Sequence, residues 1–211
     1  MNCKNIILDI DGTLWDSRYL VAEGYNAQLM AEGLAHLCVT AEDLKSLFGK
    51  TMTEIADILF AELPAPGRYE LMNRCMSREN GHILQSDSIR GYEGVTETLE
   101  ELSKEYGLYI VSNSQQGYPE VTMTKMGLTH LIRGHLCFGD TGTEKGQTIL
   151  ELMRRHGITD AVYVGDTQGD YEATLVAGIP FIWAAYGFGN PTGYAARIDS
   201  MRQLPQVLKE I

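Results

Sequence analysis

Residues 4–13 read KNIILDIDGT, and this stretch determines how the rest of the chain is interpreted. Its apolar part, residues 4–8, predicts a buried strand, and the acidic, glycine-bearing part predicts a loop at the strand's carboxyl end. Asp9 and Asp11 lie two positions apart, so an extended chain would place both on one side, but Gly12 lets the backbone turn. Taken alone, such a stretch is also compatible with an ordinary turn in which the aspartates hydrogen-bond locally. The remaining sequence decides between these interpretations.

Short apolar runs that end in polar or glycine-containing turns recur in the second half of the chain. Strands are predicted at 108–111, 161–164 and 181–184, with 135–138 as a weaker candidate. Helical patterns lie between them at 95–106, 118–126, 146–156 and 169–177. Strands that alternate with helices of this length predict an α/β fold, a Rossmann-like parallel sheet covered by helices.

Residues 16–88 interrupt this alternation. They contain helix-like stretches at 18–32, 41–48, 53–61 and 68–80, with little strand signal. The stretch at residues 85–94 is polar and contains glycine, as expected where a chain re-enters a domain. We therefore predict a helical cap of residues 16–88, inserted into a core made of residues 1–15 and 89–211.

The composition limits the classes of partner. The chain has 211 residues, of which 44% are hydrophobic, which is enough to form a core. Its 28 acidic and 17 basic residues give a net charge of −11, which disfavours nucleic acid and anionic membrane surfaces as partners. An anionic small molecule would need a local cation or a helix N-terminus to offset this charge.

Cysteine and histidine usage disfavours zinc and disulfides. The four cysteines contain no CxxC pair, and the five histidines show no metal-ligand spacing; the cysteines are Cys3, Cys38, Cys75 and Cys137. The apolar run at the N-terminus is too short for a signal peptide or a membrane span. We expect a reduced, cytoplasmic protein without a membrane partner.

Polar side chains follow the predicted strands where the carboxyl ends of a parallel sheet would meet, which is where such sheets bind ligands. These residues are Asp9, Asp11, Ser112, Asn113, Lys145, Asp166 and Asp170. Converging carboxylates repel one another unless a proton or a divalent cation offsets their charge, and their hard oxygens suit Mg²⁺. The metal and Lys145 would attract a phosphate group, and Ser112 with nearby backbone N–H groups can bind its oxygens.

This order of motifs resembles the haloacid dehalogenase-like hydrolases, specifically the members with a helical cap inserted after the first motif. The matching stretches are residues 9–14, residues 110–114, Lys145 and residues 164–170, so the resemblance covers nearly the whole chain. Dehalogenating relatives lack an aspartate at the position of Asp11, and its presence favours phosphoryl transfer. The cap and the turn at 47–51 look most like phosphoglycolate phosphatases and neighbouring small-molecule phosphatases.

The resemblance implies roles for the acidic residues. Asp9 would be the nucleophile that forms an aspartyl-phosphate, and Asp11 would protonate the leaving oxygen and later activate water. Mg²⁺ would be held by Asp9, the backbone carbonyl of Asp11, and Asp166. Asp170 would lie behind them, as a partner for metal-bound water or for Lys145.

Other positions carry implied roles or open alternatives. The resemblance implies that Ser112, Asn113 and Lys145 bind the phosphoryl group. Many relatives follow this lysine with proline, whereas glycine follows it here. Asp140, in a Gly-Asp-Thr stretch that imitates the fourth motif, is interpreted as a loop acid or helix cap. Lys50 is either a ligand for a substrate carboxylate or phosphate, or an exposed lysine between helices.

We therefore predict a Mg²⁺-dependent phosphatase that hydrolyses a small organic phosphate ester, in the manner of phosphoglycolate phosphatases. Alternatives are a phosphomutase, nucleotidase or pyrophosphatase of the same superfamily, and a non-enzymatic phospho-aspartate switch of the receiver type. The switch is disfavoured because Asp9 and Asp11 share one loop and a long helical insertion follows at once. One chain supplies every proposed catalytic group.

Overall fold

The computed structural model describes residues 4–87, 89 and 91–211. Six strands occur within them: β1 (Asn5–Leu8), β2 (Gly107–Ser112), β3 (Ile132–Cys137), β4 (Val162–Gly165), β5 (Phe181–Ala184) and β6 (Ala196–Ile198). They form one parallel sheet in the order β3-β2-β1-β4-β5-β6. The chain winds outward in both directions from β1, and ligands of doubly wound sheets bind at such a reversal of strand order. The predicted α/β fold is confirmed.

Residues 18–85, all of them described, contain helices between β1 and β2. These are α1 (Arg18–Ala31), α2 (Ala41–Lys45), α3 (Met52–Leu59) and α4 (Ala65–Gln85), with a 3₁₀ turn at Ala35–Leu37. Capping boxes at Thr40 and Thr51 begin α2 and α3. Apolar side chains of this segment pack into a cluster of their own, apart from the sheet. The division at 15/16 and 88/89 stays a prediction, and residue 88, like Cys3, lies outside the described residues.

The remaining helices cover the two faces of the sheet. They are α5 (Val95–Leu102), α6 (Tyr118–Met126), α7 (Phe138–Thr141), α8 (Lys145–His156), α9 (Gln168–Ala177) and α10 (Leu204–Glu210). Ile6 and Leu8 of β1 pack with α5, α6 and α10 on one face. Ile7 packs with α8 and α9 on the other face. Because both faces of β1 are covered, the strand reads as a continuous apolar run rather than an alternating one.

The structure differs from the predicted elements mainly at the edges of the sheet. Strand β3 begins at Ile132, three residues before the predicted start, and β6 and α10 were not predicted. β6 has three residues, too few for a periodic signal. Helix α4 extends past the predicted 68–80 at both ends and includes Gly67 and Gly81, so packing overrides their low helix propensity.

Among the described helices, none combines the length and the apolar character that a membrane span requires. The longest, α4, has 21 residues and carries Arg68, Arg74 and Arg78 along its length.

Candidate active site

The loop after β1 enters the site directly from the strand. The backbone N–H of Asp9 donates to the carbonyl of Val164 at 2.9 Å, which extends the pairing of β1 with β4 by one residue. The side chain of Asp9 is 4% exposed. Further along the loop, Trp15 makes isolated bridges with Asp11 and with Gly91, so the chain leaves the sheet for the helical segment and returns beside the same loop.

Asp166, which follows β4, fits between two glycines. Gly12 has φ +82°, and a Cβ there would lie 2.2 Å from Asp166 Oδ2. A Cβ on Gly187 would lie 2.5 Å from the same oxygen. The backbone N–H of Phe188 donates to that oxygen at 2.6 Å. Glycine is therefore required at position 12 both for its backbone conformation and for the space that the carboxylate occupies.

Lys145, the first residue of α8, lies between two buried carboxylates. Its Nζ donates to Asp9 Oδ1 at 2.9 Å and to Asp170 Oδ1 at 2.6 Å. Burial lowers the pKa of Lys145, but the charges of Asp170 and Asp9 outweigh this effect and raise it above the ordinary value. Burial raises the pKa of Asp170, but Lys145 outweighs this effect and the net pKa is lowered. This group thus holds one positive charge between two negative ones.

The other acids of the site have raised pKa values. Burial raises the pKa of Asp9 to about 7; Lys145 opposes this shift, and the charges of Asp170 and Asp11 add to it. Burial also raises the pKa of Asp166 well above its ordinary value, and the charges of Asp170 and Asp9 add to that shift. Both carboxyls therefore release their protons at higher pH than exposed carboxyls do, unless a further positive charge stabilises the ionised forms.

Three of these carboxylates form a possible metal site. Asp9, Asp166 and Asp170 each offer an oxygen, and these oxygens lie within 4.8 Å of one another. Asp166 Oδ1 is buried and has no hydrogen-bond partner in the described part of the chain. An unpartnered buried carboxylate oxygen among other hard oxygens is what a divalent cation would satisfy. The residues present therefore fit a bound metal ion.

Asp170 and Asp11 differ in how they face this cluster. Asp170 Oδ2 accepts from the Thr167 hydroxyl and from the N–H groups of Asp166 and Thr167, and its Oδ1 accepts from Lys145. Every oxygen of Asp170 is thus held by protein groups. The Asp11 carboxylate is absent from the three-carboxylate cluster; its Oδ1 accepts from the hydroxyls of Ser17 and Tyr118 at 2.5 Å each. Nothing in the sequence indicated Tyr118, which lies 107 positions from Asp11.

The carboxyl end of β2 brings Ser112, its last residue, and Asn113, which follows it, to the same cavity as Asp9, Asp11 and Lys145. Ser112 is buried, and its Oγ accepts from the backbone N–H of Ser114 at 3.2 Å. Asn113 Nδ2 donates to the carbonyl of Gly49 at 2.7 Å. Since Gly49 belongs to the turn between α2 and α3, Asn113 connects the sheet to the helical segment.

The turn at residues 47–50 lies over the site. The ring of Phe48 stacks on that of Phe188, with 5.4 Å between ring centroids. Lys50 is exposed at the rim of the cavity that Asp9 lines. This enclosed cavity measures about 30 Å³, and an outer cleft of about 670 Å³ reaches the same turn.

Two further acids, Glu79 and Asp140, lie in different places: the first lines the cavity of Asp9 and the second caps a helix. Glu79 of α4 lines the enclosed cavity, although nothing in the sequence distinguished it from the other acids of that helix. Asp140 caps α7, where its carboxylate accepts from the backbone N–H of Cys137 at 2.9 Å. Of the two interpretations of Asp140, a loop acid or a helix cap, this contact agrees with the helix cap.

Three comparisons relate the chain to known proteins. It matches the family model of the haloacid dehalogenase-like hydrolases over residues 6–184. It is 29% identical over 215 residues to a phosphoglycolate phosphatase from Xanthomonas campestris, covering 98% of this chain and 95% of the relative. A crystal structure described as a predicted phosphoglycolate phosphatase from Haemophilus somnus aligns with TM-score 0.84 and 22% identity, over 99% of each chain. A haloacid dehalogenase-like family hydrolase from Streptococcus pneumoniae aligns with TM-score 0.82 and 19% identity, over 98% of each chain.

Proposed function

The chain belongs to the haloacid dehalogenase-like hydrolase family, and we propose that it is a Mg²⁺-dependent phosphatase with Asp9 as nucleophile. It hydrolyses phosphate monoesters, as the relatives named phosphoglycolate phosphatase indicate. The observation that carries the proposed mechanism is the pairing of buried Asp9 with Lys145 at the sheet edge, with Asp11 on the same loop. A nucleophile and an acid on one loop suit a reaction in two displacements.

The first displacement forms an aspartyl-phosphate on Asp9 and releases an alcohol. Lys145 offsets the effect of burial on Asp9 and so favours the ionised carboxylate that attacks phosphorus. Asp11, whose Oδ1 is held by Ser17 and Tyr118, gives a proton to the leaving oxygen. In the second displacement Asp11 takes a proton from water, which then hydrolyses the aspartyl-phosphate.

Mg²⁺ would be held by Asp9, Asp166 and the backbone carbonyl of Asp11, with Asp170 orienting Lys145 from behind. The unpartnered Oδ1 of Asp166 supports this assignment. When bound, the ion supplies the positive charge that offsets the carboxylates and stabilises charge on the phosphoryl oxygens.

The phosphoryl group is proposed to bind to Ser112, Asn113 and Lys145, which line the cavity beside Asp9. The helices of residues 16–88 serve as a cap that excludes water during the reaction. Lys50 lies at the rim, where it is available to an anionic group of the substrate. The proposed substrate class is a small organic phosphate monoester, as the name of the phosphoglycolate phosphatase relatives suggests.

Release of phosphate from para-nitrophenyl phosphate tests this proposal. We expect turnover that requires Mg²⁺ and that is lost in Asp9→Asn, while the control Asp199→Asn, at an exposed residue, retains it. Turnover without metal, or turnover by Asp9→Asn, would contradict the mechanism. A stable aspartyl-phosphate together with no turnover on a broad panel of phosphate esters would favour the phospho-aspartate switch.

A further inference from the structure

Glu79 is a buried carboxyl on the cap side of the enclosed cavity, and the proposed mechanism does not use it. It belongs to α4, is 3% exposed, and lines the cavity together with Asp9 and Asp11. Among the described residues that line this cavity from the helical segment, Glu79 is the one acid. Because Glu79 and Asp9 line the same cavity, the leaving group of a phosphate ester bound at Asp9 would lie within reach of this helix.

The position of Glu79 is fixed from both sides. Helices α1 and α4 pack so closely that a Cβ on Gly24 would lie 2.8 Å from the Cα of Glu79. On the core side, Gln115 Nε2 donates to Glu79 Oε2 at 3.2 Å and to Asn80 Oδ1 at 3.0 Å. Gln115 belongs to the loop that follows Ser112, the last residue of β2. The carboxyl of Glu79 is therefore held against the loop that is proposed to bind phosphate.

The surroundings of Glu79 disfavour additional negative charge. Burial raises its pKa well above the ordinary value, and the charge of Asp11 adds to this shift, while hydrogen bonds from Gln115 and Tyr25 oppose it. The buried amine of the cavity, Lys145, is already bound by two carboxylates. A leaving group with its own carboxylate would bring one more charge into this group.

The rest of the cap-side lining is mostly apolar. It includes Val21, Leu44, Met52 and Ile55. Apart from Lys50, which is exposed at the rim, the polar side chains that line the cavity from the described helical segment are Glu79 and Tyr25. A hydroxyl suits a carboxyl group in either ionisation state, because a hydroxyl both donates and accepts.

We propose that Glu79 is a specificity-determining residue that binds a hydroxyl group of the leaving alcohol, so that small, uncharged, hydroxylated phosphate esters are preferred over esters that carry a carboxylate. This inference rests on the proposed phosphatase function and narrows its substrate class. Selection between substrates would then depend on a residue of the helical cap, whereas the residues that act on phosphorus belong to the core.

Three phosphate esters of two-carbon alcohols test the inference: ethyl phosphate, 2-hydroxyethyl phosphate and 2-phosphoglycolate. The wild type should show kcat/KM about 10- to 100-fold higher for 2-hydroxyethyl phosphate than for either other ester, as for loss of a buried hydrogen bond. Glu79→Leu should lose the preference over ethyl phosphate while it still hydrolyses ethyl phosphate. Glu79→Gln, an isosteric change, should keep the hydroxyl preference and gain about tenfold on 2-phosphoglycolate, because its amide can donate to the carboxylate.

The control is Glu70→Gln, an exposed change on the same helix, which should match the wild type on all three esters. Equal kcat/KM for ethyl and 2-hydroxyethyl phosphate, or a wild-type preference for 2-phosphoglycolate, overturns the inference. An unchanged ratio of kcat/KM between 2-phosphoglycolate and 2-hydroxyethyl phosphate in Glu79→Gln also overturns it, and this variant stands in if Glu79→Leu fails to fold. If the wild type hydrolyses none of the esters, nor para-nitrophenyl phosphate, the proposed function itself falls, and the inference with it.

Discussion

Asp166 shows how closely single atoms are fitted in this site. Its Oδ2 lies where a side chain at position 12 would begin, and its Oδ1 has no hydrogen-bond partner in the described structure. Asp166 can therefore occupy this position only because residues 12 and 187 are glycines.

Gly12→Ala should displace Asp166, and Gly127→Ala is its matched control. Both glycines have positive φ, +82° and +71°, but a Cβ on Gly127 would meet nothing within 4 Å. Each change should lower the free energy of unfolding by about 1–2 kcal/mol from backbone strain. Gly12→Ala should lose about 1–3 kcal/mol more through overlap with the carboxylate, and should also weaken Mg²⁺ binding. Urea unfolding and metal titration measure both; equal losses in the two variants would contradict the proposed fit.

The buried carboxyl of Glu79 gives a pH dependence with a definite sign. Its pKa in the folded state lies well above the ordinary value of 4.5, so above pH 4.5 the folded state binds more protons than the unfolded state. The stability contribution of Glu79 therefore falls as pH rises from 4.5 towards the folded pKa. Glu79→Gln removes this titration, so its stability relative to wild type should increase from pH 5 to pH 8 in urea unfolding. Glu70→Gln should show no such trend. If the difference in the free energy of unfolding between Glu79→Gln and the wild type did not change with pH, the carboxyl of Glu79 would have an ordinary pKa.

At the scale of elements, the turn at 47–50 joins the helical segment of residues 18–85 to the side of the core that carries Asp166, a proposed metal ligand. Phe48 stacks on Phe188, whose backbone N–H holds Asp166. The guanidinium of Arg18, at the start of α1, lies 5.0 Å from the centroid of the Phe188 ring. Phe188 thus contacts Phe48 and Arg18 of the helical segment and also Asp166, a proposed metal ligand.

Phe48→Ala should favour the open cap. An aromatic pair contributes about 0.5–1.5 kcal/mol, which corresponds to about 2- to 10-fold in the population of the closed form. We expect a fall of that size in kcat/KM for para-nitrophenyl phosphate, with little change in the Kd for Mg²⁺. Ile58→Ala, at a residue that is 52% exposed on α3, serves as control and should leave kcat/KM unchanged. Wild-type kcat/KM in Phe48→Ala would show that the stacking does not contribute to closure.

The sequence predicted this architecture where local patterns carry the information. The loop of Asp9 and the loop of Asp166 each follow an apolar run, so their meeting at one sheet edge could be predicted from strand order alone. Tyr118 and Glu79 could not be singled out, because their contacts with the site depend on how helices α6 and α4 pack. Strand β6 escaped prediction because three residues at the edge of a sheet carry no periodic signal. The site features that could not be predicted from the sequence are thus mostly side chains that reach the site from helices distant in the chain.

At the scale of the whole molecule, the net charge of −11 has a buried component. Among the described residues, the buried Asp, Glu, Lys and Arg side chains are four carboxyls and one amine: Asp9, Glu79, Asp166, Asp170 and Lys145. Buried like charges destabilise the folded state unless a counter-charge or a proton relieves them. A divalent cation would relieve this excess, so metal binding should be visible in the stability of the entire fold.

Mg²⁺ should therefore raise the melting temperature of the wild type. It should raise the melting temperature of Asp166→Asn much less. At about 100 times its Kd, a ligand of the folded state adds about 2.7 kcal/mol, which is about 5–10 °C for a chain of this size. Asp166→Asn removes a buried charge, so in EDTA it should melt above the wild type, yet it should gain little from Mg²⁺ because a ligand is lost. Asp140→Asn, in the stretch that imitates the fourth motif, should respond to Mg²⁺ as the wild type does. Thermal unfolding with EDTA and with Mg²⁺ distinguishes the two aspartates; a full Mg²⁺ response in Asp166→Asn, or its loss in Asp140→Asn, would reassign the metal site.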